Sequence, residues 1–300
     1  MNLPARPFTA TPTVPSSWHA HLALTIARTA RGSRLTRSEH TGPLYVQKPF
    51  YPEGADCAHI YLLHPPGGLV SGDLLGIDID VNEHAHALVT TPGAGRVYRA
   101  RDDGLLQRQH TQLRVADNAM LEWMPLETIL FPKSKGQLRT RVDLGTDSFF
   151  IGWDILSLGL PANDIALDTD CSLDQSLRIY RDGRLLLNER LVLREGNHHL
   201  LTAAAGFRHL PVQGVLVAGP FVSEDDKKAA QTLITELQQV CEQNKSVVPL
   251  SGVTLNGEFI VVRCLGRCSS EARELLVKAW TKIRPEVMQR PACAPRIWAT

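Results

Sequence analysis

Residues 64–73, HPPGGLVSGD, hold the densest set of backbone features in the chain that could handle an anion. Gly67 and Gly72 are separated by four residues, the spacing of a phosphate-binding loop. Such a loop needs Lys and then Ser or Thr after its second glycine, to neutralise phosphate and hold Mg²⁺. Here Asp73 and Leu74 follow, and a carboxylate at that point repels a polyphosphate. No helical pattern follows to offer its N-terminus to the anion. The stretch therefore reads as a turn. Pro66 and Gly67 fit the two central positions of a type II turn, and Gly68 and Gly72 permit further bends or close backbone contact.

A second glycine pair, Gly93 and Gly95 in TTPGAGRVYR, matches two thirds of a dinucleotide fingerprint, but Tyr98 stands where the third glycine belongs. That glycine lets helix and strand pack closely, which a tyrosine prevents. Asp78 and Asp80 alternate with Ile77, Ile79 and Val81, so both carboxylates point to one side of a strand. They suit a divalent ion, although a solvated strand face is the plainer reading. His84 and His86 share a face if the strand runs through them, and such a pair holds Ni²⁺, Cu²⁺ or Zn²⁺ weakly. Cys264 and Cys268 have a zinc-like spacing without a second pair, so buried thiols are expected. No nucleophile elbow or HExxH motif occurs in the sequence.

The elements that must position these residues are mostly strands. With 300 residues, 43% hydrophobic and 21% charged, the chain can bury a large core, and its net charge of +1 gives no basic field for nucleic acid. Residues 1–18 are rich in Pro and Thr, without the apolar run of a signal peptide, and are expected to form a loose tail. No run is long enough to cross a bilayer, so a cytoplasmic protein without membrane contact is expected. Over 19–220, short apolar or alternating runs at 59–64, 75–81, 85–91, 148–156, 176–183 and 184–193 alternate with turn clusters. Asp182-Gly183 marks a two-residue hairpin, and Asn256-Gly257 marks another. The lack of helical stretches between these runs argues against a βαβ parallel sheet. Internal repeats are not visible.

Over 221–300 the pattern becomes α/β. Ser223 is expected to cap a helix whose first turn carries Glu224, Asp225 and Asp226. A second helix follows Ser270, with Leu275, Leu276, Ala279, Trp280 and Ile283 on one face, and Pro285 is expected to stop it.

The segments GPLYVQKPFYPEG (42–54), CAHIYLLHPPGGLVSGD (57–73), AHALVTTPGAGRVYRA (85–100), LEWMPLETILF (121–131), FIGWDILSLG (150–159), IYRDGRLLLNER (179–190) and APRIWAT (294–300) resemble, in order, the UreD (UreH) urease accessory protein family. The resemblance implies one UreD-like domain over 19–300: a mainly β, β-helix-like stack of strands with two C-terminal helices. It also implies a non-enzymatic chaperone that docks on apo-urease and binds UreF, which recruits the GTPase UreG carrying nickel. No cofactor would be held permanently. Ni²⁺ would be in transit, GTP would be handled by UreG, and the UreD–UreF–UreG assembly could be dimeric.

A nickel route should be polar and weakly coordinating, because a closed nitrogen and sulfur cage would trap the ion. Cys57, His59, His64, Asp73, Asp78, Asp80, Glu122 and Glu127 are the candidates, all but Asp78 and Asp80 within the matching segments. Docking would need exposed apolar surface, for which Leu275, Leu276, Trp280 and Trp298 are candidates. A clamp that opens urease without passing metal is a further option. The rival from another class is a metal-dependent hydrolase built on Asp78, Asp80, His84 and His86. One segment departs from the family: an Arg and a Glu usual after residue 159 are missing from Leu160–Ile165, and Leu126 replaces a common Gln.

Overall fold

A computed structural model describes residues 17–299, so the tail expected over 1–18 lies almost wholly outside them. The chain climbs between two facing sheets. Ala58–Leu63, His86–Thr90, Met120–Met124 and Phe149–Leu160 are adjacent parallel strands of one sheet, here the inner sheet. Leu74–Val81, Gln107–Val115, Lys135–Leu144 and Ser172–Arg181 are the parallel strands of the other, joined by His19–Thr29. From Ala58 to Arg181 these parallel strands alternate between the two sheets along the sequence, which makes the β-helix-like stack the resemblance implied. Parallel pairing thus arises without crossover helices, because a strand of the facing sheet makes each return. No α-helix lies between these strands, so the reading against βαβ units holds, and the parallel pairing comes by this other route.

Alternation fills the space between the sheets. Leu22, Leu24 and Ile26 of one sheet meet Ile60, Ala87, Val89 and Leu121 of the other in one apolar core. In Leu74–Val81 the buried positions fall at every second residue, so Asp78 and Asp80 lie on the solvated side.

A repeat is present after all, carried by backbone conformation. Three short arcs, 82–85, 116–119 and 145–148, return the chain from one sheet to the other. In each the third residue is left-handed: His84 at φ 58°, Asn118 at φ 56° and Asp147 at φ 51°. A small buried residue follows each time, Ala85, Ala119 or Ser148. Asn and Asp accept this conformation more readily than most residues, and little else in the arcs is alike.

The connections at the other end are longer, and 64–73 is the first of them. Its hydrogen-bonded turn runs from the His64 carbonyl to the Gly67 N–H (2.7 Å), so Pro65 and Pro66 are central. This moves the expected turn back by one residue, with Gly67 following at φ +72°. Gly68 lies against the next connection: a Cβ there would sit 2.7 Å from the Arg96 carbonyl oxygen. Gly72 has a positive φ as well (+89°), whereas Gly93 faces open space and Gly95 starts a short strand, Gly95–Val97. Asp73 is buried and accepts from the backbone N–H groups of Val70 (2.9 Å) and Trp18 (3.3 Å). The stretch is a corner brace.

The Asp182-Gly183 hairpin has φ > 0 at both central residues, as a type I′ turn requires. The other hairpin turns on Gly257-Glu258, one residue later than expected, since Asn256 pairs with Phe259. Val212–Gly219, Phe259–Gly266 and Leu250–Asn256 extend the inner sheet antiparallel. Helices α1 (Glu224–Gln243) and α2 (Ser269–Met288) cover its outer face. Ser223 and Asp226 form a reciprocal capping box on α1. In α2, Pro285 does not stop the helix, which runs to Met288 and ends at left-handed Gln289. Pro285 faces solvent, and burial of Val287 and Met288 holds the last turn in place despite the lost backbone bond.

Gly68→Ala is expected to cost about 1–3 kcal/mol through the clash with Arg96. Gly93→Ala should change stability by less than about 0.5 kcal/mol. Urea unfolding of the two variants checks the contrast.

Candidate functional site

Period-two alternation on the inner sheet turns Leu121 and Trp123 toward the facing sheet and leaves Glu122 pointing toward the helices. The same rule places Cys57 and His59 at the start of one strand, and His86 at the start of the next, on that helix-facing side. Glu53 comes up from the loop before Cys57. Arg284 descends from α2 into their midst and is fully buried.

Its guanidinium joins two carboxylates. Nε and Nη2 donate to Glu122 at 2.9–3.0 Å, and Nη1 and Nη2 donate to Glu53 at 2.9 and 2.7 Å. Nη1 also donates to the Pro291 carbonyl. His86 bonds Glu122 at 2.9 Å, His59 bonds Glu53 at 2.7 Å, and Trp280 Nε1 donates to Glu122 at 2.7 Å. Arg290 adds Nε to the Glu53 carboxylate at 3.2 Å and Nη2 to its backbone carbonyl at 2.9 Å.

Burial by itself would raise both carboxyl pKa values, and the hydrogen bonds and charges around them outweigh it. Glu53 is held far below the usual carboxylate range by His59 and Arg284, and Glu122 is lowered by His86 and Arg284. Desolvation opposes the Arg284 charge, yet the two glutamates raise its pKa further. Burial, and then the negative charge of Glu122 and Glu53, push the Cys57 thiol well up, so it is protonated in this arrangement.

Two groups of side chains here could hold a metal ion: Glu53, Cys57 and His59, and Cys57, His86 and Glu122. Within each, the ligand atoms lie within 4.8 Å of one another. Among the described residues these are the groups of three or more with that property. Three of the eight sequence candidates therefore converge: Cys57, His59 and Glu122.

The other five lie elsewhere. Asp73 caps the corner, as described. Asp78 and Asp80 pair with Arg114 (3.2 and 2.9 Å), and Asp78 also with His21 (2.7 Å). Glu127 receives the Ser269 hydroxyl at 3.1 Å and lies 3.7 Å from Arg273, so it anchors the start of α2. Half-buried His64 has its pKa lowered by desolvation, which the charge of Asp73 opposes.

The hydrolase arrangement fails on geometry. Asp78 and Asp80 face solvent on the outer sheet, His84 is exposed in an arc, and His86 is buried against Glu122. The expected docking residues are corrected as well. Leu275, Leu276 and Trp280 are at most 1% exposed, because that helix face covers the sheet. Half-buried Trp298 packs on Trp153 and Trp280 at 5.2 and 5.6 Å and donates to Thr90 at 2.9 Å. Cys264 is buried, with desolvation pushing its pKa up to about 12, and neither it nor Cys268 belongs to a metal-competent group among the described residues. The divergent 160–165 segment is a surface turn through Pro161–Asn163.

Glu53, Arg284 and Arg290 were not singled out from the sequence. Glu53 stood in a quoted segment, but nothing local marks a partner 231 residues away. Asp154 was missed too. Gln175 of the facing sheet donates to its carboxylate at 2.6 Å, and desolvation outweighs that bond, raising its pKa to about 7.

The sequence model of the UreD urease accessory protein family matches residues 19–299. The chain belongs to that family. A Marinomonas urease accessory protein UreD is 49% identical over 95% of this chain and 91% of its own length. The UreD of Psychromonas ingrahamii is 39% identical over 98% of this chain and 97% of its own. That of Marinobacter nauticus is 42% identical over 89% and 86%. In this UreD-family chain, five elements thus meet at one helix-to-sheet contact: a loop, three adjacent strands and α2.

Glu122→Ala leaves Arg284 buried with one carboxylate, and is expected to cost about 3–5 kcal/mol by chemical denaturation. The lowered carboxyls contribute stability above their unfolded pKa near 4.5 that is lost as pH falls toward the folded values. Asp154 has the opposite sign: its raised folded pKa makes stability fall as pH rises from about 4 to about 7. Asp154→Asn should therefore gain roughly 2 kcal/mol at pH 8 and nothing below about pH 4, in urea titrations at both pH values.

Proposed function

We propose that this chain is a urease maturation factor. It docks on apo-urease and, with UreF and the GTPase UreG, enables Ni²⁺ to reach the urease active site. The observation that carries the reading is family membership along nearly the whole chain, with relatives named as urease accessory proteins. GTP hydrolysis is assigned to UreG, in keeping with the corner-brace role of the 64–73 loop. In this reading the chain is a cytoplasmic scaffold that makes and breaks no covalent bond. Among the described residues no helix is long and apolar enough to cross a membrane.

Docking requires exposed apolar area, and the structure offers it away from α2. Trp18, Val70, Leu105 and Leu106 are each 39–53% exposed. They gather around one corner: Asp73 binds the N–H groups of Trp18 and Val70, Gly72 donates to the Leu106 carbonyl, and Leu105 lies beside Gly72. Next to them opens a recess of about 1080 Å³, where Arg99, Arg101, Lys133 and Lys135 meet Asp102, Asp170 and Glu195. An apolar patch with a charged border suits a protein partner. Nickel in transit is assigned to the Cys57, His59 and Glu122 cluster.

In a strain lacking this chain, urease should be assembled but poor in nickel, and the wild-type chain should restore metal content and activity. Leu105→Asp with Leu106→Asp should fold normally yet lower co-purification with apo-urease or UreF at least tenfold. Fully metallated urease in the deletion strain would refute the proposal.

A further inference from the structure

The two metal-competent groups share Cys57, so four other ligand side chains surround one thiol. Within each group the donor atoms lie within 4.8 Å of one another and need to contract only modestly to reach the roughly 3.4–3.8 Å that separates ligands around a tetrahedral ion. One atom already occupies the middle. Arg284 Nη2 lies 2.7 Å from Glu53, 2.9 Å from Glu122 and 3.9 Å from Cys57 Sγ, so it touches both groups. The ring of His59 is fully buried, and its Nδ1 has no hydrogen-bond partner.

We infer that Arg284 is a resident cation filling a thiol, imidazole and carboxylate site for a borderline divalent metal, which guanidinium and metal occupy in turn. The charges match. A guanidinium carries +1, and so does a divalent ion bound to the Cys57 thiolate, so the two glutamates keep the same counter-charge. Binding converts the Cys57 S–H into an S–metal bond and releases its proton to water. Thiolate with imidazole and carboxylate suits Zn²⁺, Co²⁺ or Ni²⁺ rather than Mg²⁺ or Ca²⁺. Withdrawal of Arg284 has one place to begin: Pro285 offers no N–H to the Thr281 carbonyl, which weakens the turn after the guanidinium. A nickel route through this cluster rests on the maturation reading above, and would open only when a bound partner shifts α2, which stays clamped in the free protein. The metal site itself is tested on the isolated chain, so the two ideas fail separately.

The test is Co²⁺ titration of purified full-length Arg284→Met, followed by absorption and thermal unfolding. One equivalent should bind with a thiolate-to-cobalt charge-transfer band and raise the melting midpoint. Arg284→Met with Cys57→Ser should show neither change, and the wild type should bind at least a hundredfold more weakly. Because Arg284→Met can fail to fold without a cation, it is also expressed with added Zn²⁺, which should restore soluble protein. Absence of a Cys57-dependent band, wild-type binding as tight as the variant's, or insolubility with and without Zn²⁺ would each overturn the inference.

Discussion

A fully buried guanidinium has to be neutralised where it sits, and that requirement organises much of this molecule. The effective cost of taking one charge out of water is several kcal/mol even in a relaxed protein interior. Arg284 is stabilised only because Glu122 from the inner sheet and Glu53 from a loop arrive together, with His86, His59 and Trp280 completing the carboxylates. If one member is missing, the rest becomes an uncompensated buried charge. The network is therefore a strict positional constraint, and it clamps α2 and the segment around Arg290 onto the solenoid.

The fold meets that constraint through its repeat. Each return arc places the next inner strand beside the last, in register, so His86 and Glu122 reach the helix side one strand apart. The apolar side of the same strands packs against the outer sheet, which leaves polar residues on the inner sheet to be covered by α2. At the opposite end Glu127 ties down the start of α2, so one sheet anchors the helix twice.

Legibility in the sequence followed the range of the interaction. The Asp182-Gly183 hairpin and the Ser223 N-cap are local chemistry, and both are present as read. The strands are legible from alternation, but their parallel pairing is not, because the partner of each lies two strands later in the chain. The arcs share a left-handed residue and a small one, a pattern of conformation more than of identity. Cys57, His59 and Glu122 were reachable through their motifs, whereas Glu53 and Arg284 meet only across most of the chain. Leu275, Leu276 and Trp280 show the limit of an apolar stripe. It marks a helix face that must be covered, and here the chain's own sheet covers it.

This gives the UreD-family chain a two-sheet body, an apolar corner at one end, and a charged, metal-competent junction covered by α2. Whether that junction is truly clamped is measurable by native-state hydrogen exchange in the free protein. Amides of Trp280–Arg284 and of His86–Thr90 should open only with global unfolding, at the same free energy. Opening of the α2 amides at a free energy several kcal/mol lower, with the His86–Thr90 strand still protected, would contradict the account.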